Sequence, residues 1–167
     1  MTRYYNKDSH SCMIFSMSSL PNICLISVSK PKGAWANIVE LYSNRLTKIT
    51  KFEHKIVKEI GDTPQETRDK TSRKIIELVP QNWPIILLDE TGSGTSSTSF
   101  ADLINDYQHV CIIVGSSYGV SDELKQISTK IIRLSDMVLA HEIARVLILE
   151  QLYRAHTINT NHPYHHS

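Results

Sequence analysis

The residues best suited to chemistry crowd towards the C-terminus, in "LEQLYRAHTINTNHPYHHS". This stretch holds Arg154, His156, His162, Tyr164, His165 and His166. Histidine titrates near neutral pH, so such a set can hold a metal or move a proton. The spacing matches no structural zinc pattern and no cysteine lies nearby, which argues against metal. Pro163 and Tyr164 interrupt the histidines, which argues against a purification tag. Arg, Tyr and His together can grip a phosphate and stack on a base. Upstream, Arg145 and Arg154 with Glu142 and Glu150 read as a solvated helix edge, unless the tail recruits them.

Two Gly/Ser-rich stretches offer a second kind of chemistry, close approach of backbone to a ligand. "TGSGTSST" and "GSSYG" each follow an apolar run of strand length. Neither has the GxGxxG spacing of a dinucleotide site or the GxxxxGK[ST] of a phosphate loop. No GxSxG is present for a serine nucleophile. The 3 cysteines are widely spaced without CxxC, as small buried thiols of a reducing compartment would be.

The elements that must position these residues belong to one domain. With 167 residues, 41% hydrophobic and 21% charged, the chain can bury a real core. A net charge of +1 gives no global basic field, so any nucleic-acid contact must be local. No run approaches the roughly 20 apolar residues of a membrane helix, and the expected location is cytoplasmic. Residues 1–21 read as a polar extension and 22–167 as the single domain.

Along that domain, "NICLISVSK" reads as a strand and "AWANIVELYSNRL" as a helix with Ile38, Leu41, Tyr42 and Leu46 on one face. "KFEHKIVKEI" alternates Phe52, Ile56 and Ile60 with charges, predicting a half-exposed strand. Thr63, Pro64 and Glu66 form a helix start in "DTPQETRDKTSRKIIELV". "PIILLDE" and "VCIIVG" predict strands covered on both faces. "TGSGTSST" reads as loop, and Ser99 with Asp102 predicts the next helix start. A short helix from Asp122, a strand "KIIRLS" and a helix over 140–156 complete the chain. The spacing of Ile143, Val146, Leu147, Glu150 and Tyr153 predicts one mostly apolar face for that helix. This alternation predicts an α/β fold with a mainly parallel sheet and helices on both faces. Ligands of such sheets bind at the carboxyl ends of strands, here the loops 89–97, 115–120 and 134–140.

The segments "LSDMVLAHEIARVLILEQLYRAHTINTNHPYHHS", "IILLDETG" and "IVGSSYGVS" together resemble the SPOUT-class methyltransferases. Within that class the chain is similar to the RlmH (YbeA) family, which methylates N3 of a pseudouridine in large-subunit ribosomal RNA. The likeness covers about residues 22–167 and is most specific in the final helix and "NHPYH". It implies a C-terminal trefoil knot, one of the rare exceptions to unknotted topology. It also implies a homodimer, S-adenosylmethionine as methyl donor, and the ribosome as partner. On this resemblance Leu88, Gly115, Leu134, Ser135, Asp136, Met137, Val138 and Leu139 hold the cofactor. The resemblance further implies catalysis by His165, Tyr164 and Arg154, with His165 taking the N3 proton.

Two positions depart from the family pattern. Gly115-Ser116 stands where relatives have Gly-Gly, and Ala140-His141 where they have Pro-His. Both sit at the implied cofactor pocket, so cofactor affinity is the property they bear on. They leave open two other readings: a dimeric RNA-binding module with impaired catalysis, and an α/β enzyme of another nucleotide.

Overall fold

Uninterrupted apolar runs need cover on both faces, and here they receive it. The computed structural model describes residues 20–160. The elements run β1 (Asn22–Val28), α1 (Ala34–Leu46), β2 (Phe52–Val57), α2 (Pro64–Leu78), β3 (Ile85–Gly94), α3 (Ser97–Asn105), β4 (His109–Val114), α4 (Asp122–Ile127), β5 (Lys130–Arg133) and α5 (His141–Asn159). The 5-stranded sheet has the order β2-β1-β4-β3-β5, and each neighbouring pair is parallel. The α/β class and parallel sheet read from the sequence are those observed.

Alternate residues of each strand enter two cores, as period-two geometry requires. Ile23, Leu25, Ile86, Ile112 and Ile132 pack with Val39, Leu46, Phe100, Ile104, Ile148 and Leu152 of α1, α3 and α5. Cys24, Ile26, Leu87, Cys111 and Ile113 pack on the other face with Ile75 of α2 and Leu124 of α4. Cys24 and Cys111 are register partners and both are buried free thiols. Leu20 and Pro21, from the stretch read as an extension, are buried, and both carbonyls accept from Thr50 Oγ1.

Several local expectations differ from the structure. In α1 the buried residues are Val39 and Leu46, whereas Leu41 is exposed. In β2, an edge strand, Val57 is buried while Ile56 faces solvent, as does Ile60 beyond it. The cap of α3 lies three residues before the expected Ser99: Ser96 caps the helix by accepting from Ser99 N at 3.1 Å. The cap of α2 is as expected, with Thr63 Oγ1 accepting from Glu66 N at 3.2 Å. Glu66 reaches back to Asp62 N at 3.1 Å, one residue beyond the usual capping box. "TGSG" is not loop but the end of β3, which shifts register after Leu88 and pairs Ser93 and Gly94 with Ile132 and Arg133. The core face of α5 is Arg145, Ile148, Leu149, Leu152 and Ala155. Of the expected face, Val146 and Tyr153 are half-buried and pack at the margin of this core, whereas Ile143 is 42% exposed and Leu147 half-buried outside it.

Candidate functional site

A cleft of about 500 Å³ opens at the carboxyl ends of β3, β4 and β5. Its walls include Leu88, Gly115, Leu134, Ser135, Met137, Val138 and Leu139, so three separate expected segments converge. Asp136 instead faces a side hollow shared with Glu90 and Arg133. Its Oδ1 accepts from Arg133 Nε at 2.7 Å, while Arg133 Nη1 donates to Gly92 O at 2.9 Å. Arg133 thereby clips the extension of β3 to the 134–139 wall. That wall carries little packing of its own, with Met137 74% and Val138 84% exposed.

The 115–119 loop is closed by the residue that departs from the family pattern. Ser116 Oγ donates to Gly119 O at 2.9 Å and accepts from Tyr118 N at 3.2 Å. Its backbone lies outside the positive-φ region, which among described non-glycine residues holds Ser29 and Asn82. The conformational freedom of a second glycine is therefore not needed here. A Cβ on Gly115 would meet Val120 Cγ1 at 2.6 Å, so the first glycine is needed. At the other departure, Ala140 adopts φ −61 and ψ 142 as N-cap of α5. Proline would impose that same φ, so alanine preserves the turn.

The polar side of the cleft escaped the sequence reading. Asp89, Lys125, Arg68 and His141 all line it. Burial works against the Asp89 carboxylate, but Thr91 Oγ1 and N and the Lys125 ammonium outweigh it and hold its pKa below the usual value. Lys125 Nζ stands 3.0 Å from Asp89 Oδ2. Only Asp89 had a local signal, because it leaves a strand at its carboxyl end. Arg68 and Lys125 sit on ordinary amphipathic helices and reach the cleft through tertiary packing. Apolar walls beside a cluster of charged side chains suit a flat heterocycle bearing a polar arm.

Behind the cleft, Arg145 is fully buried rather than lying on a solvated helix edge. Its guanidinium donates to Val28 O, to Ser29 O at 2.7 Å and to Glu142 Oε2 at 2.9 Å. Nearby, His54 Nε2 and Ser27 Oγ share a 2.8 Å hydrogen bond. Burial, and secondarily the charge of Arg145, push the His54 pKa from 6.5 down to about 4. The unfolded chain thus takes up a proton first as pH falls. His54 contributes its full stability above pH 6.5 and loses it progressively towards pH 4. Wild type should lose roughly 2–3 kcal/mol across that window that His54→Gln does not lose, measured by urea unfolding at several pH values.

Among the proposed catalytic residues, Arg154 lies on α5 outside its own chain's cleft lining and is half-buried. Its Nη2 stands 2.5 Å from Glu150 Oε1. Next to it, Tyr153 packs edge-on against Tyr42 at 6.4 Å, and Arg45 lies 5.2 Å from both rings. His165, Tyr164, His162 and His166 lie outside the described residues. Among the described residues no group of His, Cys, Asp or Glu is arranged to hold a metal, and no helix is long and apolar enough to cross a membrane.

Comparison with known proteins places the chain in a family. A family model described as "Predicted SPOUT methyltransferase" matches residues 22–165. The chain is 33% identical over 153 residues to ribosomal RNA large subunit methyltransferase H of Neisseria meningitidis serogroup C, covering 86% of this chain and 98% of the relative. It is 33% identical over 146 residues to the protein of that name from Geotalea uraniireducens, covering 83% and 95%. The Campylobacter concisus protein is 31% identical over 148 residues, covering 86% and 98%. With most of its length matched by the family model and by these relatives, the chain belongs to the SPOUT methyltransferase family.

Proposed function

We propose that this chain is an S-adenosylmethionine-dependent methyltransferase of N3 of a pseudouridine in 23S ribosomal RNA, acting on the assembled ribosome. The carrying observation is the cleft whose wall is the 134–139 segment, joined there by Leu88 and Gly115. The names of the similar proteins support ribosomal RNA as the substrate class. The cleft volume lies within the range of small-molecule sites, and its mix of apolar wall and charged floor fits the cofactor. Ser116 and Ala140 keep the turns that glycine and proline would make, which removes the motive for an impaired binding module.

S-adenosylmethionine, when bound, supplies a methyl group already activated as a sulfonium. The protein's task is then to position the acceptor and manage one proton. His165 takes the proton from N3 as the nitrogen gains its methyl group. Tyr164 orients the base, and Arg154 holds a phosphate or the developing anion. The outward face of α5 supports a homodimer. This helix is apolar on the sheet side and again at Ile143 and Leu147, as expected of a helix covered on both sides. In such a dimer the tail and Arg154 of one subunit complete the cleft of the other. We assign the knot to the C-terminal part of a single domain over 22–167, with 1–21 as an extension, and place the protein in the cytoplasm.

The test is calorimetric titration with S-adenosylmethionine followed by methyl transfer to ribosomes lacking the modification. Micromolar binding and a new N3-methyl group are expected. No binding at millimolar cofactor, with or without ribosomes, overturns the reading. Unchanged turnover in both His165→Ala and Tyr164→Phe would overturn the roles given to those two residues.

A further inference from the structure

The net charge of +1 leaves the grip on RNA to local features, and one such feature lies outside the cleft. Strands β1 and β2 run parallel, with Val28 and Val57 as register partners. The chain therefore leaves both strands at the same edge of the sheet, where Ser29 N still donates to Val57 O at 2.8 Å. The residues that follow are Lys30 and Lys32 after β1 and Lys58 after β2, and all three are exposed. Among the described residues, none of the three stands within ion-pair distance of a carboxylate. Trp35, in the first turn of α1 and three residues after Lys32, is 39% exposed. Glu59 and Asp62 offset part of this charge, and Glu59 Oε1 accepts from Ser117 Oγ at 3.3 Å.

That last bond fixes the location. Ser117 belongs to the 115–119 loop that walls the cleft, so the basic edge and the cleft mouth form one continuous rim. Unpaired lysines together with an exposed indole are the combination that proteins use on RNA, cations for phosphates and a ring for a base.

We infer that the edge formed by Lys30, Lys32, Lys58 and Trp35 is a second RNA-contacting surface. It holds the phosphate backbone flanking the nucleotide presented to the cleft. This rests on the ribosomal RNA reading above and adds to it the surface that supplies the electrostatic part of binding. Each phosphate contact releases condensed counterions, so it shows as a salt dependence of affinity.

The experiment measures binding of the full-length protein to purified ribosomes over a salt series, alongside titration with S-adenosylmethionine. Lys30→Ala/Lys32→Ala/Lys58→Ala should lower the slope of log affinity against log salt by about two to three. Its affinity at low salt should fall by roughly 10–100-fold, with cofactor affinity unchanged. Lys48→Ala/Lys51→Ala removes exposed lysines at the opposite edge, before β2, and should leave the slope as in wild type. An unchanged slope in the triple variant, or an equal loss in the Lys48/Lys51 control, overturns this surface and leaves the methyltransferase reading intact. A wild-type protein that binds the cofactor but no ribosome overturns both the ribosomal substrate and this surface.

Discussion

Arg145→Met should lower the unfolding free energy by about 3–4 kcal/mol, read as a fall in the urea midpoint with an unchanged m-value. The guanidinium is 0% exposed and makes hydrogen bonds to Val28 O, Ser29 O and Glu142 Oε2. Methionine fills most of the volume but donates to none of them, leaving the buried Val28 carbonyl and the part-buried Ser29 carbonyl without this donor, at about 1–3 kcal/mol for a buried group and less for a part-buried one. Glu142 retains some solvent contact, which holds the estimate below the upper end for a severed buried pair. The carbonyls matter for a further reason: Ser29 sits at φ 66, a conformation that the fold must enforce on a non-glycine residue. Arg145→Met/Glu142→Leu should recover part of the loss, because replacing both ions avoids the stranded carboxylate. The charge on Arg145 also depresses the His54 pKa, so the single variant should raise that pKa from about 4. A midpoint shift worth less than about 1 kcal/mol would mean that the buried guanidinium is dispensable.

The sequence pattern missed Arg145 for a physical reason. Helix α5 is apolar on two sides, and periodicity cannot tell which side meets the sheet and which waits for another surface. The charges of Arg145, Arg154, Glu142 and Glu150 suggested a solvated edge beside an apolar face at Ile143, Val146 and Leu147, whereas Arg145 is buried with Ile148, Leu149 and Leu152 on the sheet side. The strands were legible because "IILL" and "VCIIV" are too continuously apolar for anything but two-sided cover. The order β2-β1-β4-β3-β5 was not legible, since it depends on which strands the crossovers carry past one another. Convergence of Leu88, Gly115 and the 134–139 segment followed from the resemblance and from the rule that parallel sheets bind at carboxyl ends. Arg68 and Lys125 came into view only with the fold, for nothing local distinguishes them from surface cations of amphipathic helices.

Gly92 marks the other place where composition misled, and its replacement should be felt in the cleft. Gly and Ser in "TGSG" suggested a loop, yet Gly92 is buried beside β5 within the extension of β3. A Cβ there would stand 2.6 Å from Ile132 N and 2.7 Å from Ile131 C and Ile132 C. All three are backbone atoms, so no rotamer change can make room. Strand β5 has four residues, from Lys130 to Arg133, and leads directly into the 134–139 wall. Relief therefore comes by pushing β5 outward, which also pulls on the bond from Arg133 Nη1 to Gly92 O. Gly92→Ala should cost roughly 2–3 kcal/mol of stability. It should also weaken S-adenosylmethionine binding at least about tenfold, equivalent to about 1.4 kcal/mol. Gly94→Ala is the comparison variant, because its Cβ would meet the Arg133 guanidinium at 3.3 Å instead of backbone; it presses on the Arg133 clip without displacing β5 itself and should cost less cofactor affinity than Gly92→Ala. Calorimetric titration of both variants decides the matter. Equal cofactor affinity in Gly92→Ala and wild type would mean that β5 does not set the position of the wall.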